Sequence, residues 1–270
     1  MPKNSAHEPS TYGERIAEIY DRFYGAREDA GQAADFLLAL AKGRRVLELG
    51  IGTGRIAIPL KQRGVRLDGI DASPAMVEKL RAKAEGLDIP VTIGNFADLK
   101  IAGRFSLIYV VFNTLFMLTT QQEQLRCFQR VARRLAADGA FVVEAFMPNH
   151  WLLAHEGRTA TADVGNDHAL VDAIVHQSHR QHLNVQHMLI TSKGVQLFPI
   201  QLRYCYPAEL DLMAQLAGMR LRERFGGWNR EPFTAQSGGH VSVYELAPVK
   251  ASGDLKAVKA EKKQARRKRS

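Results

Sequence analysis

Cysteine is scarce in this sequence, and long apolar runs are absent. Cys127 and Cys205 are the two cysteines among 270 residues, and they lack the C-x-x-C spacing of zinc and redox sites. We therefore expect neither a disulfide framework nor a cysteine metal site, and a reducing cytoplasm is the default location. No apolar stretch approaches the roughly 20 residues that span a bilayer. The N-terminal segment MPKNSAHEPSTYGER has no apolar centre, so neither a signal peptide nor a membrane contact is expected.

The excess of positive charge lies mostly at one end of the chain. The formal net charge is +9, and residues 250–270 alone hold nine basic and two acidic residues. The body of the chain is therefore close to neutral, which does not favour a nucleic-acid partner. A segment this polar, without aromatic residues, cannot bury enough surface to order itself, so residues 248–270 are predicted to form a disordered tail. A salt-sensitive contact of the tail with RNA, DNA or an acidic partner is the alternative.

Apolar strands alternate with helices over most of the chain. After a helical segment at 12–40, the strand RRVLEL precedes a helix at 53–63, and the strand VRLDGID precedes the helix SPAMVEKLRAKAEG. Ser73 is the expected N-cap of that second helix. The rhythm predicts a Rossmann-like α/β fold, with a seven-stranded, mostly parallel sheet and helices on both faces.

The pattern changes to short alternating strands at about residues 150–206. Turns are expected at Gly165-Asn166 and Lys193-Gly194, which predicts an antiparallel β insertion after the fifth strand. Ligands of open α/β sheets bind at the carboxyl ends of the strands. The insertion is therefore predicted to be a lid or substrate wall over a core made of residues 1–149 and 207–247.

The stretch VLELGIGTGR is the strongest local signal. Its glycines, at 50, 52 and 54, miss the G-x-G-x-x-G dinucleotide fingerprint by one position. Glu48 also fits poorly beside a pyrophosphate, because a phosphate site wants a helix N-terminus without an anion. A cationic ligand suits this acid better, and S-adenosylmethionine carries an ammonium group and a sulfonium but no phosphate. Gly50 and Gly52 would allow close approach of the ligand, and Gly54 would allow the helix to pack.

Two further strand ends complete the expected cofactor site. Asp71 ends the next strand, where a carboxylate can accept both hydroxyls of a ribose. Asn95 and Phe96 end the third strand, and are expected to hold the edge and face of an adenine. We also expect Met76, after Asp71, and Val111, at the end of the fourth strand, to contact the cofactor.

These motifs carry a family resemblance. VLELGIGTGR, GIDASPAMVEKLRAKA and IGNFADL resemble successive signature motifs of class I S-adenosylmethionine-dependent methyltransferases, over roughly residues 12–247. AEIYDRFYGAREDA and the insertion resemble bacterial small-molecule members, including amino-sugar N,N-dimethyltransferases. The resemblance implies that Tyr20 and Tyr24 approach the cofactor and the substrate amine. The family usually has Asp at the position of Asn95, but an amide oxygen can still meet an adenine amino group.

Several kinds of methyl transfer lack their residues here. The [DN]PP[YF] turn of nucleobase and glutamine methylation is absent, and no acids follow the fourth strand to clamp a guanidinium or hold Mg²⁺. Neither cysteine ends a strand, so thiolate attack is not expected. What remains is an apolar pocket at the sheet edge. Its expected walls are aromatic and methionine side chains, namely Phe112, Phe116, Met117, Phe146, Met147, Trp151 and Trp228.

Polar candidates for catalysis are few. The resemblance implies Tyr24. Asn113 comes directly after the fourth strand, and His150, after the fifth strand, is the candidate general base. Four histidines of the insertion are crowded together, at 176, 179, 182 and 187. Along one strand, His176 and His182 would share a face and His179 would take the other, whereas a turn near 180–184 would change this grouping. Exposed strand histidines are the expectation. No metal site is predicted, because no acid or cysteine accompanies them in a known pattern.

The leading hypothesis is therefore an S-adenosylmethionine-dependent N- or O-methyltransferase for a small molecule, acting as a monomer or homodimer. One alternative is an RNA or protein methyltransferase that docks by its basic tail. The other is a cofactor-binding scaffold without catalysis, since no residue in the sequence proves a reaction.

Overall fold

The structure is a computed structural model that describes residues 10–25, 29–148 and 157–248. The predictions for His150, Trp151 and the basic tail lie outside these ranges. The helices are α1 (Thr11–Tyr24), α2 (Asp29–Ala41), α3 (Ala57–Gln62), α4 (Pro74–Arg81), α5 (Gln121–Arg134) and α6 (Pro207–Leu216). The strands are β1 (Val46–Leu49), β2 (Leu67–Asp71), β3 (Val91–Ile93), β4 (Phe105–Val110), β5 (Leu135–Phe146), β6 (Gly157–Val164), β7 (His168–Gln177), β8 (His182–Thr191), β9 (Gly194–Arg203), β10 (Met219–Phe225) and β11 (Gly239–Leu246).

The predicted α/β fold with its antiparallel insertion is confirmed. Seven strands form one sheet in the order β10-β11-β5-β4-β1-β2-β3, and only β11 runs antiparallel to its neighbours. Strands β6 to β9 form a separate antiparallel sheet of four, inserted after β5. The single helical segment predicted at 12–40 is two helices, α1 and α2. None of the described helices is long and apolar enough to cross a membrane.

The order of the strands in the sheet determines which edge of it can bind a ligand. The chain runs from β1 outward to β2 and β3, then crosses to β4 on the other side of β1. Loops leaving β1 and β4 therefore diverge to opposite faces, and the crevice between them is where open α/β sheets bind ligands. Every residue of both strands is buried, as expected for parallel strands covered on both faces.

The four-stranded sheet covers that crevice with one of its faces. Leu170, Leu189 and Phe198 on its inner face pack against Tyr12 and Ile16 of α1. The outer face carries exposed apolar residues, which are Val164, Val175, Ile190, Val195 and Leu197.

The expected grouping of the lid histidines is wrong. His176 pairs with Leu183, and Gln177 pairs with His182, so the two histidines lie on opposite faces of the sheet. The reason is a turn at Ser178–Arg180, which ends β7 and reverses the chain before His182.

A buried polar cluster joins the end of β9 to the core. Arg203, 7% exposed, is bonded to Glu209 of α6 at 2.7 Å and to Gln124 of α5 at 2.6 Å. The Arg203 carbonyl also accepts a hydrogen bond from Gln124 Nε2 at 2.7 Å, and Gln181 contributes a longer contact. The antiparallel sheet is thus fastened where its last strand returns to the α/β core.

Candidate active site

A cavity of about 440 Å³ lies between the carboxyl ends of the parallel strands and the inner face of the four-stranded sheet. This size suits a small-molecule site. Helix α1 forms one wall with Tyr12, Tyr20 and Tyr24, and the loop after β1 forms another. Sequence positions far apart therefore meet at the crevice that the strand order creates.

The glycine loop, residues 50–55 after β1, has glycines with two different roles. One borders the ligand space, and the other allows close packing. Gly52 has a φ of +55° and lines the cavity, so its backbone faces the ligand space. Gly54 has a φ of +85° and does not line the cavity. A Cβ on Gly54 would stand 2.4 Å from Leu80 Cδ1 of α4, which is why this position accepts no side chain.

Asp71 is held in a fixed orientation at the end of β2. Its Oδ2 accepts the backbone N–H of Gly52 at 2.7 Å, and its Oδ1 accepts that of Ser73 at 2.8 Å. Burial raises the pKa of Asp71, and these two hydrogen bonds oppose that shift without cancelling it. A carboxylate offers about four lone-pair sites, so both oxygens can still accept the hydroxyls of a ribose.

Glu48 is a buried acid facing the same cavity. Its side chain is bonded by the Tyr109 hydroxyl at 2.8 Å, and the residue is 2% exposed. Burial raises the pKa of Glu48 to about 8, while the Tyr109 hydrogen bond and the charge of Arg55 act in the opposite direction. Arg55 is itself engaged by Asp29 at 2.6 Å, so it does not neutralise Glu48 directly. A bound cation would stabilise the ionised form of this carboxyl.

The tyrosines of α1 form an aromatic wall. The rings of Tyr20 and Tyr24 are 5.0 Å apart, and Tyr24 meets Phe112 edge-on at 5.5 Å. Burial raises the pKa of Tyr20 to about 12, so its hydroxyl stays protonated near neutral pH. Asp21 accepts a hydrogen bond from Thr53 in the glycine loop at 2.6 Å, which fixes the helix to that loop.

Two amides predicted to face ligands already have backbone partners. Asn95 Oδ1 accepts the N–H of Ala97 at 2.8 Å, and Asn113 Oδ1 accepts the N–H of Phe146 at 2.7 Å. Asn113 has a φ of 63°, and this bond ties the turn after β4 to the end of β5. Each amide oxygen therefore holds a loop in place. Within the described ranges, the NH₂ groups of Asn95 and Asn113 make no hydrogen bond, and both residues line the cavity.

The structure brings most of the predicted residues to one place. Besides the residues above, the lining includes Gly50, Met76, Phe96, Val111, Met117 and Met147. Phe116 is instead fully buried against Phe146, and Trp228 packs on Phe36 away from the cavity. Met117, the neighbour of Phe116, lines the cavity, but the short 3-10 turn at Thr114–Met117 directs Phe116 into the core.

One feature of the cavity was missed in the sequence. Asp172 of β7 and His187 of β8 are direct cross-strand partners on the inner face, and Asp172 Oδ1 is hydrogen-bonded to His187 Nδ1. Both side chains line the cavity. Placing the hairpin turn at 178–181 would have paired them, but the sequence alone suggested only a turn near 180–184. In the described ranges, no group of three His, Cys, Asp or Glu residues is arranged to hold a metal ion.

Comparison with known proteins gives consistent matches. A family profile described as a methyltransferase domain matches residues 46–139. The solved structure of the CcbJ methyltransferase from Streptomyces caelestis is 40% identical, with a TM-score of 0.85, over 89% of this chain and 100% of its own. Cypemycin N-terminal methyltransferase from a Streptomyces species is 27% identical over 88% of this chain and 98% of its own length. The S-adenosylmethionine-bound structure of CalS10, an amino pentose methyltransferase from Micromonospora echinaspora, shares the fold at 18% identity. Its match has a TM-score of 0.66 and covers 86% of this chain and 97% of its own.

Proposed function

The chain belongs to the S-adenosylmethionine-dependent methyltransferases, and on that premise we propose that it methylates an amine or hydroxyl of a small molecule. The observation that carries the proposal is the four-stranded sheet, whose apolar inner face covers the ligand-binding edge of the core. A cavity closed in this way admits a compact acceptor, whereas an RNA or a folded protein would need an open groove. The names of the relatives, an amino pentose methyltransferase among them, point in the same direction.

S-adenosylmethionine supplies an electrophilic methyl group on a sulfonium. We assign the ribose to Asp71, the cationic end to the surroundings of Glu48 and the glycine loop, and the adenine to Asn95 and Phe96. Gly50, Met76 and Val111 would complete the contacts, and all of these residues line the cavity. Tyr20 would contact the cofactor, and Tyr24 and Asn113 would orient the acceptor. His150 stays a predicted base outside the described residues.

Methyl transfer needs an aligned nucleophile and exclusion of water rather than an elaborate catalytic apparatus. The aromatic wall of α1 and the inner face of the four-stranded sheet provide both. We further propose that the protein acts in the cytoplasm, as a monomer or homodimer, without a nucleic-acid partner. The near-neutral body of the chain supports the last point.

The test is release of S-adenosylhomocysteine with a panel of small amines and alcohols, set beside bulk RNA and unfolded protein. The full chain and a version ending at residue 249 are compared. We expect small acceptors to be methylated equally by both. Methylation of RNA or protein alone, lost on truncation, would favour docking by the basic tail. Cofactor binding without turnover of any acceptor would favour a scaffold.

Asp71→Ala should weaken S-adenosylmethionine binding by about 1.5–3 kcal/mol, the scale of hydrogen bonds to a charged group. Isothermal calorimetry measures the effect. Asp68→Asn is the matched control, because Asp68 lies on the same strand but pairs with Arg45 away from the cavity. An unchanged dissociation constant in folded Asp71→Ala protein would remove this residue from the ribose role.

Cofactor affinity should depend on pH through Glu48. Because the pKa of Glu48 is raised to about 8, the free protein holds its proton below that pH, and a cationic ligand must displace it. Binding should therefore release a proton, and affinity should rise by up to about tenfold per unit between about pH 6 and 8. Calorimetry in buffers of different ionisation enthalpy counts the proton. Glu48→Gln should remove this slope, and its persistence in that variant would show that another group is responsible.

A further inference from the structure

The part of the inner face of the four-stranded sheet that lines the cavity is apolar except for one acid and one imidazole. The residues that line the cavity from this face are mostly aliphatic: Ile174, Leu183, Val185, Ile200 and Leu202. Asp172 and His187 stand among them as directly opposed residues, with side chains 18% and 13% exposed. An acid and an imidazole in an apolar wall are costly unless they satisfy each other or a ligand.

The hydrogen bond between them determines which ring nitrogen is available. A carboxylate is an acceptor only, so Nδ1 of His187 must carry the hydrogen that Asp172 accepts. Among the residues that the structure describes, the ring has no second hydrogen-bond partner. In the neutral imidazole, Nε2 then carries the lone pair, and the Tyr12 ring, 6.0 Å away centre to centre, limits where the imidazole ring can turn.

The charges around the pair favour a cationic acceptor. A carboxylate bonded to a neutral imidazole carries one negative charge in an apolar wall. Among the residues that the structure describes, the other ionisable groups that face the cavity are Tyr12, Tyr20 and Tyr24 of α1, Glu48 of β1, Arg55 of the glycine loop and Asp71 of β2. Arg55 is the one cation among them, and Asp29 already pairs with it. A protonated amine is therefore attracted to the pair, whereas a hydroxyl brings no charge to match it.

We propose that Asp172 and His187 form the proton-accepting pair of this enzyme, and that its acceptor is a small amine that arrives as an ammonium ion. The ammonium gives one proton to Nε2 of His187, and Asp172 stabilises the imidazolium that results. The neutral nitrogen then uses its lone pair to form a bond with the methyl carbon. The bond from that carbon to sulfur breaks, and its electron pair stays on sulfur. The imidazolium afterwards loses its proton to water.

This inference rests on the proposed function and narrows it from amine or hydroxyl to amine. Without a proton acceptor, a cationic ammonium beside a cationic sulfonium has no lone pair with which to attack. Asp172 does not touch the acceptor in this scheme. It is a positioning residue, since it fixes the tautomer of the ring that does.

The test compares His187→Gln and Asp172→Asn with the wild-type enzyme on a secondary amine from the panel above. We expect kcat/KM near neutral pH to fall at least about 100-fold in both variants, the range of general acid–base catalysis. The affinity for S-adenosylmethionine should stay within about twofold, which also reports correct folding. Activity of the variants should recover towards high pH, where the amine loses its proton in solution. His179→Gln, in the exposed turn at Ser178–Arg180, is the matched control and should behave as wild type.

The outcomes separate this inference from the proposed function. If the variants keep the wild-type kcat/KM and pH profile on an amine, the proton-accepting role of the pair is overturned, while the proposed methyltransferase activity stands. Turnover of hydroxyl acceptors alone would overturn the amine assignment in the same way. If none of the small amines and alcohols in the panel is methylated, the proposed function itself is overturned. ¹⁵N NMR of the imidazole needs no acceptor. The signal of His187 is identified because it disappears in His187→Gln. We expect this signal to show the Nδ1–H tautomer. A hydrogen on Nε2 instead would overturn the proposal.

Discussion

Gly52→Val should abolish measurable binding of S-adenosylmethionine, with a loss of at least about 100-fold. Gly52 has a φ of +55°, and a β-branched residue in that region is strained by about 1–3 kcal/mol. The new side chain would also begin 3.2 Å from Met76 Cε and fill space on the cofactor side of the cavity. Relief of the strain would move the N–H that Asp71 accepts, so the ribose contact would be lost as well.

A matched control separates the effect of backbone strain from the effect of filling the ligand space. Gly64 has a φ of +80°, and a Cβ added to it would meet no atom within 4 Å, so Gly64→Val carries the backbone strain outside the residues that line the cavity. It should lower the melting temperature and leave the cofactor dissociation constant unchanged. Normal binding by Gly52→Val, measured by calorimetry, would show that the loop after β1 does not hold the cofactor.

Glu209→Ala should destabilise the protein by about 3–5 kcal/mol, because it leaves the Arg203 guanidinium buried without its countercharge. Chemical denaturation followed by circular dichroism measures this loss. The remaining side-chain partners of Arg203 are neutral and cannot replace a carboxylate; they are Gln124, Gln181 and Cys205. Removal of an acid is expected to cost far more here than on the surface.

The double variant Arg203→Met/Glu209→Leu should recover most of that stability, since an apolar pair of similar volume replaces the ions. Glu245→Ala is the surface comparison, because Glu245 pairs with half-exposed Arg220 and should cost under about 1 kcal/mol. If Glu209→Ala also cost less than that, the cluster would not fasten the four-stranded sheet to the core.

The α/β core was predictable because its signals are local. The run VLEL, fully buried on both faces, and the N-cap at Ser73, whose hydroxyl accepts the N–H of Met76, are set by residues close in the chain. The positions that we assign to the cofactor come together because parallel strands bring their carboxyl ends to one edge. Asp71 and Asn95 therefore lie near the glycine loop although they are distant in sequence.

The substrate side was less predictable because it depends on pairings between strands. A shift of one residue in a hairpin exchanges its two faces, so His176, His182 and His187 were not assignable from spacing alone. Asn113 shows a second limit of prediction from the sequence. Its position after β4 is visible in the sequence, but the partner of its amide oxygen, the N–H of Phe146, lies on another strand.

The separation between the two sheets has an evolutionary consequence. Within the described ranges, no strand of the β6–β9 sheet is hydrogen-bonded to a strand of the seven-stranded sheet. Mutations at inner-face positions such as Ile174 or Leu202 therefore alter the shape of the acceptor space without disturbing the ladder that aligns Glu48 and Asp71. Selection can thus diversify the acceptor while the methyl donor is inherited unchanged, so lineages that share this scaffold are free to diverge in what they methylate.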